Sequence, residues 1–248
     1  MAHISLANVS ARPPAGTDRD QLEKETKELI DELGDLQEIL HAQAKYGVLV
    51  VFQGMDASGK DGAVRKVFEE CHPKGLHTVS FKKPTDEELA HDFLWRVHKN
   101  TPAKGMINIF NRSHYEDVLI QRVHKWIDEE HVDRRFASIN AFEHLLQYDA
   151  NTVIVKFFLH ISYEQQEKEL QERLDEYDKH YKHNPGDWKE REHWDEYMHC
   201  YEEVLNRSEV PWTIVPVDER WYRDFIVAKT MVDTLKNLDL EYPGLPDE

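Results

Sequence analysis

The sequence predicts an α/β fold in which a five-stranded parallel sheet lies between layers of helices. Three observations predict it. A short apolar run, Val48-Leu49-Val50-Val51-Phe52, leads straight into Gly54-Met55-Asp56-Ala57-Ser58-Gly59-Lys60-Asp61-Gly62. That is strand, glycine loop, lysine and helix start in the order of a phosphate-binding loop. Further apolar strand candidates alternate with helical stretches, as right-handed parallel crossovers require. The third strand candidate ends in a polar cluster, Asn111 to Asp117, where ligands meet the carboxyl ends of such sheets.

Residues 1–16 contain Pro13 and Pro14 and no periodic pattern, so they read as a flexible arm. Thr17 and Asp20 are spaced as a helix start, and residues 17–45 read as an N-terminal helix. Along it Leu22, Thr26, Leu29, Leu33, Leu36 and Leu40 form a heptad seam, which suits packing on the core or a dimer contact. Strands are expected near 47–53, 77–82, 105–110, 152–160 and 212–217. Helices are expected near 62–70, 86–99, 115–130, 136–149, 163–177, 188–207 and 221–238. Asp187 and Glu190 read as a cap pair for the helix at 188, on which Trp194, Tyr197, Tyr201 and Leu205 share one core-facing side. Residues 46–240 thus form one domain, and 241–248 a tail.

Composition excludes several classes. No run of 18 apolar residues is present, so no membrane span is expected. The first residues lack the basic and apolar regions of a secretory signal. Cys71 and Cys200 have no metal-ligand spacing and read as reduced thiols of a cytoplasmic protein. The fifteen histidines are scattered, without a zinc-protease arrangement. The net charge of −17 is unevenly placed. Segments 1–55 and 136–248 carry balances of −4 and −13, whereas 56–135 holds 14 basic and 14 acidic residues. A local basic channel that includes Lys60, Lys82, Arg112, Arg122 and Arg134 inside an acidic shell suits phosphate chains and disfavours nucleic acid.

The loop carries the chemistry. Backbone amides from Gly54 to Gly62 cradle phosphate oxygens, and Lys60 adds a point charge at a helix N-terminus. The position after the lysine, a Ser or Thr in the usual loop, is Asp61, and Asp56 lies within the loop. Two carboxylates beside phosphates call for a divalent cation, Mg²⁺ with Mn²⁺ as the alternative. In the second cluster Arg112 suits a bidentate phosphate clamp. Glu116 and Asp117 suit metal ligation or, more simply, the first turn of a helix. Residues 164–187 are highly charged, poor in aliphatics and broken by Pro185-Gly186. They read as a lid that brings Arg173, Lys179 and Lys182 over the site.

Gly54 to Gly62, with Phe110-Asn111-Arg112-Ser113-His114-Tyr115-Glu116-Asp117-Val118, resembles the two signature motifs of the polyphosphate kinase 2 family. Asp92 to His98, Ile139 to Glu143 and the stretch Lys168 to Trp188 fit as well, so the resemblance spans roughly 17–235. It implies a P-loop kinase-like three-layer fold with a helical lid. It also implies Mg²⁺-dependent, reversible transfer of the terminal phosphoryl group of inorganic polyphosphate to nucleotides. Many members carry Asp where this chain has Asn111. The Asn form followed by Glu116 and Asp117 resembles the subgroup that takes both AMP and ADP. The resemblance carries over Asp56, Lys60, Arg112, Asp117, Arg122 and Arg173 as catalytic residues. Asp56, Asp61, Glu116 and Asp117 become candidate metal ligands, and a homo-oligomer, dimer or tetramer, is expected. Two other readings suit the same loop: an ATP-dependent nucleoside monophosphate kinase, and a nucleotide-binding switch without catalysis.

Overall fold

The computed structural model describes residues 3–245, so Met1, Ala2 and the last three residues of the 241–248 tail lie outside it. Five parallel strands form the sheet: β1 Gly47–Gln53, β2 Leu76–Ser80, β3 Ile107–Asn111, β4 Thr152–His160 and β5 Trp212–Pro216. Their order is β2-β3-β1-β4-β5. The central strand β1 is buried along its whole length, which is why it reads as a continuous apolar run. Both neighbours of β1 are reached by crossovers, so the chain divides beyond its carboxyl end and leaves a crevice there.

The helices are α1 Arg19–Gln43, α2 Lys60–Val67, α3 Asp86–Leu89, α4 Trp95–His98, α5 Ile120–Val123, α6 Glu129–Ala150, α7 Tyr163–Asp175, α8 Pro185–Arg191, α9 Trp194–Arg207 and α10 Arg220–Lys236. Alternation along β1 builds two cores. Val48, Val50 and Phe52 pack with Ile30, Leu33 and Leu40 of α1, with Ala63 and Val67 of α2, and with α10. Leu49 and Val51 pack on the other side with Val97 of α4 and with Phe142 and Leu146 of α6. Each alternate position thus serves a different helical layer.

Several expectations change in detail. The cap of α1 is Asp18, whose carboxylate accepts Gln21 N–H at 3.1 Å, rather than Thr17. The buried stripe of α1 is Thr26, Ile30, Leu33, Gln37 and Leu40, lying against α10 of the same chain; Leu29 and Leu36 flank it half-buried. The expected helix 86–99 is two single turns, because the Asp92 side chain takes Leu94 N–H at 3.0 Å and competes with the helix. The expected helix 115–130 is a 3₁₀ turn at His114–Val118 followed by α5, ended by Lys125 at φ 56°. Asp128 then caps α6 seven residues earlier than the periodicity suggested. The helix expected from 188 begins at Pro185, capped by Asn184 rather than by an Asp187–Glu190 pair, and breaks before Trp194.

The expected arm is docked. Leu6 is buried, and Leu6 N–H donates to Glu202 at 2.8 Å. Ile4 exchanges two 2.8 Å bonds with Asn206. Asp218 N–H donates to the Ala11 carbonyl at 3.0 Å. These are isolated long-range contacts, so no periodicity announces them. Among the described residues no helix is long and apolar enough to cross a membrane.

Candidate active site

The loop between β1 and α2 has the geometry that phosphate binding needs. Gly54 (φ 151°), Ala57 (φ 64°) and Gly59 (φ 83°) curl the backbone. A Cβ on Gly54 would stand 2.6 Å from the Leu159 carbonyl oxygen, so only glycine fits. Lys60 is buried and its ammonium donates to the Gly54 and Met55 carbonyls at 2.8 and 2.9 Å. Burial, with Arg112 nearby, pulls its pKa down to about 8. The lysine is therefore held by the loop that presents it.

The end of β3 brings the second cluster to the same place. Asn111 donates to Asp61, and Arg112 pairs with Asp56 and, at 3.5 Å, with Glu116. Arg112 has φ 61°, a left-handed conformation that costs a non-glycine residue about 1 kcal/mol. Glu116 and Asp56 hold the guanidinium charge well above its ordinary range. Asp117 is buried. Burial pushes its carboxyl up to about 6 against the pull of Arg135 and Arg96, and its Oδ2 has no hydrogen-bond partner.

The segment expected to act as a lid places Glu169 and Arg173 of α7, and Lys179 and Lys182 of a 3₁₀ turn at Tyr177–Lys182, on the opposite wall, with α8 behind them. Arg173 donates to Asp187 at 2.7 Å, and Lys179 pairs with Glu172 and Glu176 at 2.8 and 2.7 Å. The start of α10 adds Arg220, which reaches Glu169 at 2.7 Å, and Arg223, which donates to the Gly59 carbonyl at 3.2 Å. Together these elements enclose a cleft of about 1090 Å³. Most of its cations are held by an acid or carbonyl of the chain itself, so an incoming phosphate exchanges partners rather than meeting bare charge.

Of the expected site residues, Asp56, Ala57, Gly59, Lys60, Asp61, Gly62, Lys82, Asn111, Arg112, Glu116, Asp117, Arg173, Lys179 and Lys182 line this cleft. Gly54, Met55 and Ser58 form the loop behind it. Arg122 and Arg134 are not part of it. Arg122 turns to Glu129 and Glu203 at 2.7 and 3.2 Å, and Arg134 pairs with Glu130 on the exposed side of α6. Helical phase, invisible in a count of basic residues, sends both away. The cleft also contains residues outside the expected set. Arg220 and Arg223 lie far along the chain from either motif, and no local pattern marks them. Phe81, Pro84, Leu89, Ile120 and Trp126 supply an apolar wall, with Leu89 63% and Trp126 66% exposed.

Among the described residues no three His, Cys, Asp or Glu side chains converge as a ready-made metal cluster. Asp56, Asp61, Glu116 and the orphaned oxygen of Asp117 nonetheless offer hard oxygen donors on the cleft wall. A hard divalent cation that completes its shell with water and phosphate oxygens fits such a set.

The chain is similar to known proteins along nearly its whole length. A sequence model of the family Polyphosphate kinase 2 matches residues 16–243. The chain is 45% identical over 214 residues to the AMP/ADP-polyphosphate phosphotransferase of Meiothermus ruber, covering 85% of this chain and 80% of that one. It is 40% identical over 229 residues to the ADP-polyphosphate phosphotransferase of Rhodopseudomonas palustris, covering 86% and 79%. The crystal structure of polyphosphate kinase 2 from Arthrobacter aurescens superposes with a TM-score of 0.95 at 39% identity, covering all of this chain and 90% of that one.

Proposed function

The chain belongs to the polyphosphate kinase 2 family, and we propose that its cleft carries the terminal phosphoryl group of inorganic polyphosphate to AMP and ADP with Mg²⁺ as the divalent cation. The chain is a polyphosphate:nucleotide phosphotransferase. The observation that supports the assignment of its residues is the meeting of Lys60, Arg112 and Arg173 in one cleft.

A nucleotide phosphate oxygen is anionic near neutral pH and needs no general base. It attacks the terminal phosphorus of the chain, the terminal P–O–P bridge breaks, and the shortened polyphosphate leaves with the bond's electrons. Both sides of the reaction hold phosphoanhydride bonds, so it runs in either direction. Catalysis then consists of alignment and charge neutralisation. Lys60 and the loop amides hold one phosphate group. Arg112 leaves Asp56 to clamp another, freeing the Asp56 carboxylate. Arg173 and Lys182, carried by the lid, neutralise charge as the cleft closes and help exclude water. Asp56, Asp61, Glu116 and Asp117 would hold the cation, which when bound neutralises phosphate oxygens. The nucleoside lies against Trp126, Leu89, Phe81 and Pro84, the apolar part of the wall.

We also propose a homo-oligomer in the cytoplasm. The buried stripe of α1 is already covered by α10, so a contact between copies uses other surface; a sizing column tests it. The free, buried thiols of Cys71 and Cys200 suit a reducing compartment.

The test of acceptor range supplies long-chain polyphosphate and Mg²⁺ with AMP or ADP in separate reactions and resolves the products chromatographically. ADP and ATP from the first, and ATP from the second, support the reading. Product from only one acceptor narrows it to that acceptor.

A further inference from the structure

We infer that the buried Glu143–Lys156 ion pair is a positioning device for Arg112, acting through the hydroxyl of Tyr115. This rests on reading Arg112 as the phosphate clamp. Lys156 sits in the middle of β4, between Val51 of β1 and Trp212 of β5, with only apolar residues from Val153 to Leu159 around it in the strand. Both side chains of the pair are fully buried and lie 2.6 Å apart. Such a pair contributes little net stability against well-packed apolar side chains of equal volume, because desolvating two charges offsets their attraction. Its presence calls for another role.

The pair's remaining bonds show where it acts. Lys156 donates to the Tyr115 hydroxyl at 2.6 Å, and that hydroxyl donates to Glu143 at 2.9 Å. Glu143 also faces His114 Nε2 at 3.3 Å. Burial opposes charge on Glu143, but the His114 hydrogen bond and the Lys156 charge outweigh it and hold its carboxyl below its usual range. Burial draws Lys156 down to about 8 against the pull of Glu143.

His114 and Tyr115 follow Arg112 directly, after Ser113 alone, and all three of these residues are buried. On its other side Arg112 is fixed by its own N–H to the Phe52 carbonyl at 3.0 Å. A left-handed non-glycine residue persists where its surroundings leave no alternative. The Glu143–Lys156–Tyr115 network supplies that constraint from beneath the sheet. It sets where the guanidinium emerges without touching the substrate.

The test is a double-mutant cycle read by calorimetric binding of tripolyphosphate, which needs no turnover. Tyr115→Phe removes the linking hydroxyl and keeps the ring's packing. It is expected to weaken tripolyphosphate binding about tenfold, to lower kcat and to lower Tm by a few degrees, because two buried charged groups each lose a partner. In an Arg112→Ala background the same substitution is expected to have no further effect on binding. The charge-free pair Glu143→Gln with Lys156→Met, which fills similar volume, is expected to show the same pattern with Tm unchanged or raised. Equal fold-changes in both backgrounds, or unchanged binding by Tyr115→Phe alone, overturn the inference. So does a steep loss of Tm in the charge-free pair. Wild-type protein that never uses polyphosphate would instead overturn the functional reading, a result separate from all of these.

Discussion

Arg112 and Asp56 pair across the mouth of the glycine loop, so the guanidinium proposed as a phosphate clamp is occupied by a carboxylate of the protein itself. On the proposed mechanism, phosphate takes the guanidinium and leaves the carboxylate to a cation. Asp56→Asn removes both the competitor and a negative charge. It is expected to tighten cation-free binding of tripolyphosphate about tenfold, since a hydrogen bond to a charged group is worth about 1.5–3 kcal/mol. Turnover is expected to fall by orders of magnitude in the same variant. Calorimetry without divalent cation, beside a rate assay with it, gives the two halves of the prediction.

The two arginines Arg173 and Arg122 separate a lid role from a structural one. Arg173 lines the cleft from α7, in the proposed lid, and its loss is expected to lower kcat by about 10³ while the fold stays intact. Arg122 is tied to Glu129 and Glu203 outside the cleft, so Arg122→Ala is expected to change kcat by less than about threefold and act on Tm instead. Steady-state rates with a melting curve for each variant check the contrast.

Lys60 predicts a pH dependence with a definite sign. Burial draws the pKa of its ammonium down to about 8 in the free protein, and the proposed phosphate contact requires the proton. The KM for polyphosphate is therefore expected to rise above about pH 8, approaching tenfold per pH unit if no other group intervenes. The effect on folding is opposite. The depressed pKa means that the buried ammonium weakens folding below pH 8, a cost that fades between about 8 and 10.5. A KM that is flat from pH 7 to 9.5 would remove Lys60 from phosphate binding.

Trp126 is 66% exposed on the cleft wall and stacks on His124 with ring centroids 5.0 Å apart. Stacking of a base on an aromatic ring is worth about 1–3 kcal/mol. Trp126→Ala is thus expected to raise the KM for AMP or ADP about tenfold and leave that for polyphosphate unchanged. Equal changes in both constants would place the base elsewhere.

The sequence discloses those parts of the fold and site that depend on local pattern. β1, the glycine loop and Lys60 form one continuous signal, and Arg112 with Asp117 follows an apolar strand directly. Helix breaks were harder, because Lys125 at positive φ and the Asp92 side chain act at single residues inside helix-like composition. Arg220 and Arg223 reach the cleft only because α10 follows the edge strand β5, a relationship of topology. The same holds for the docked arm, whose contacts with Glu202 and Asn206 span nearly 200 residues. Arg122 and Arg134 show the reverse error, since a basic residue near a motif in sequence points wherever its helix turns it.

The proposed reaction stands or falls with polyphosphate as the donor. The most direct measurement offers AMP to the protein with Mg²⁺ and long-chain polyphosphate as sole donor, beside an identical reaction with ATP as sole donor. ADP and then ATP are expected in the polyphosphate reaction, with loss of polyphosphate equal to the phosphoryl groups transferred. Phosphorylation of AMP by ATP alone, with polyphosphate untouched, would contradict it.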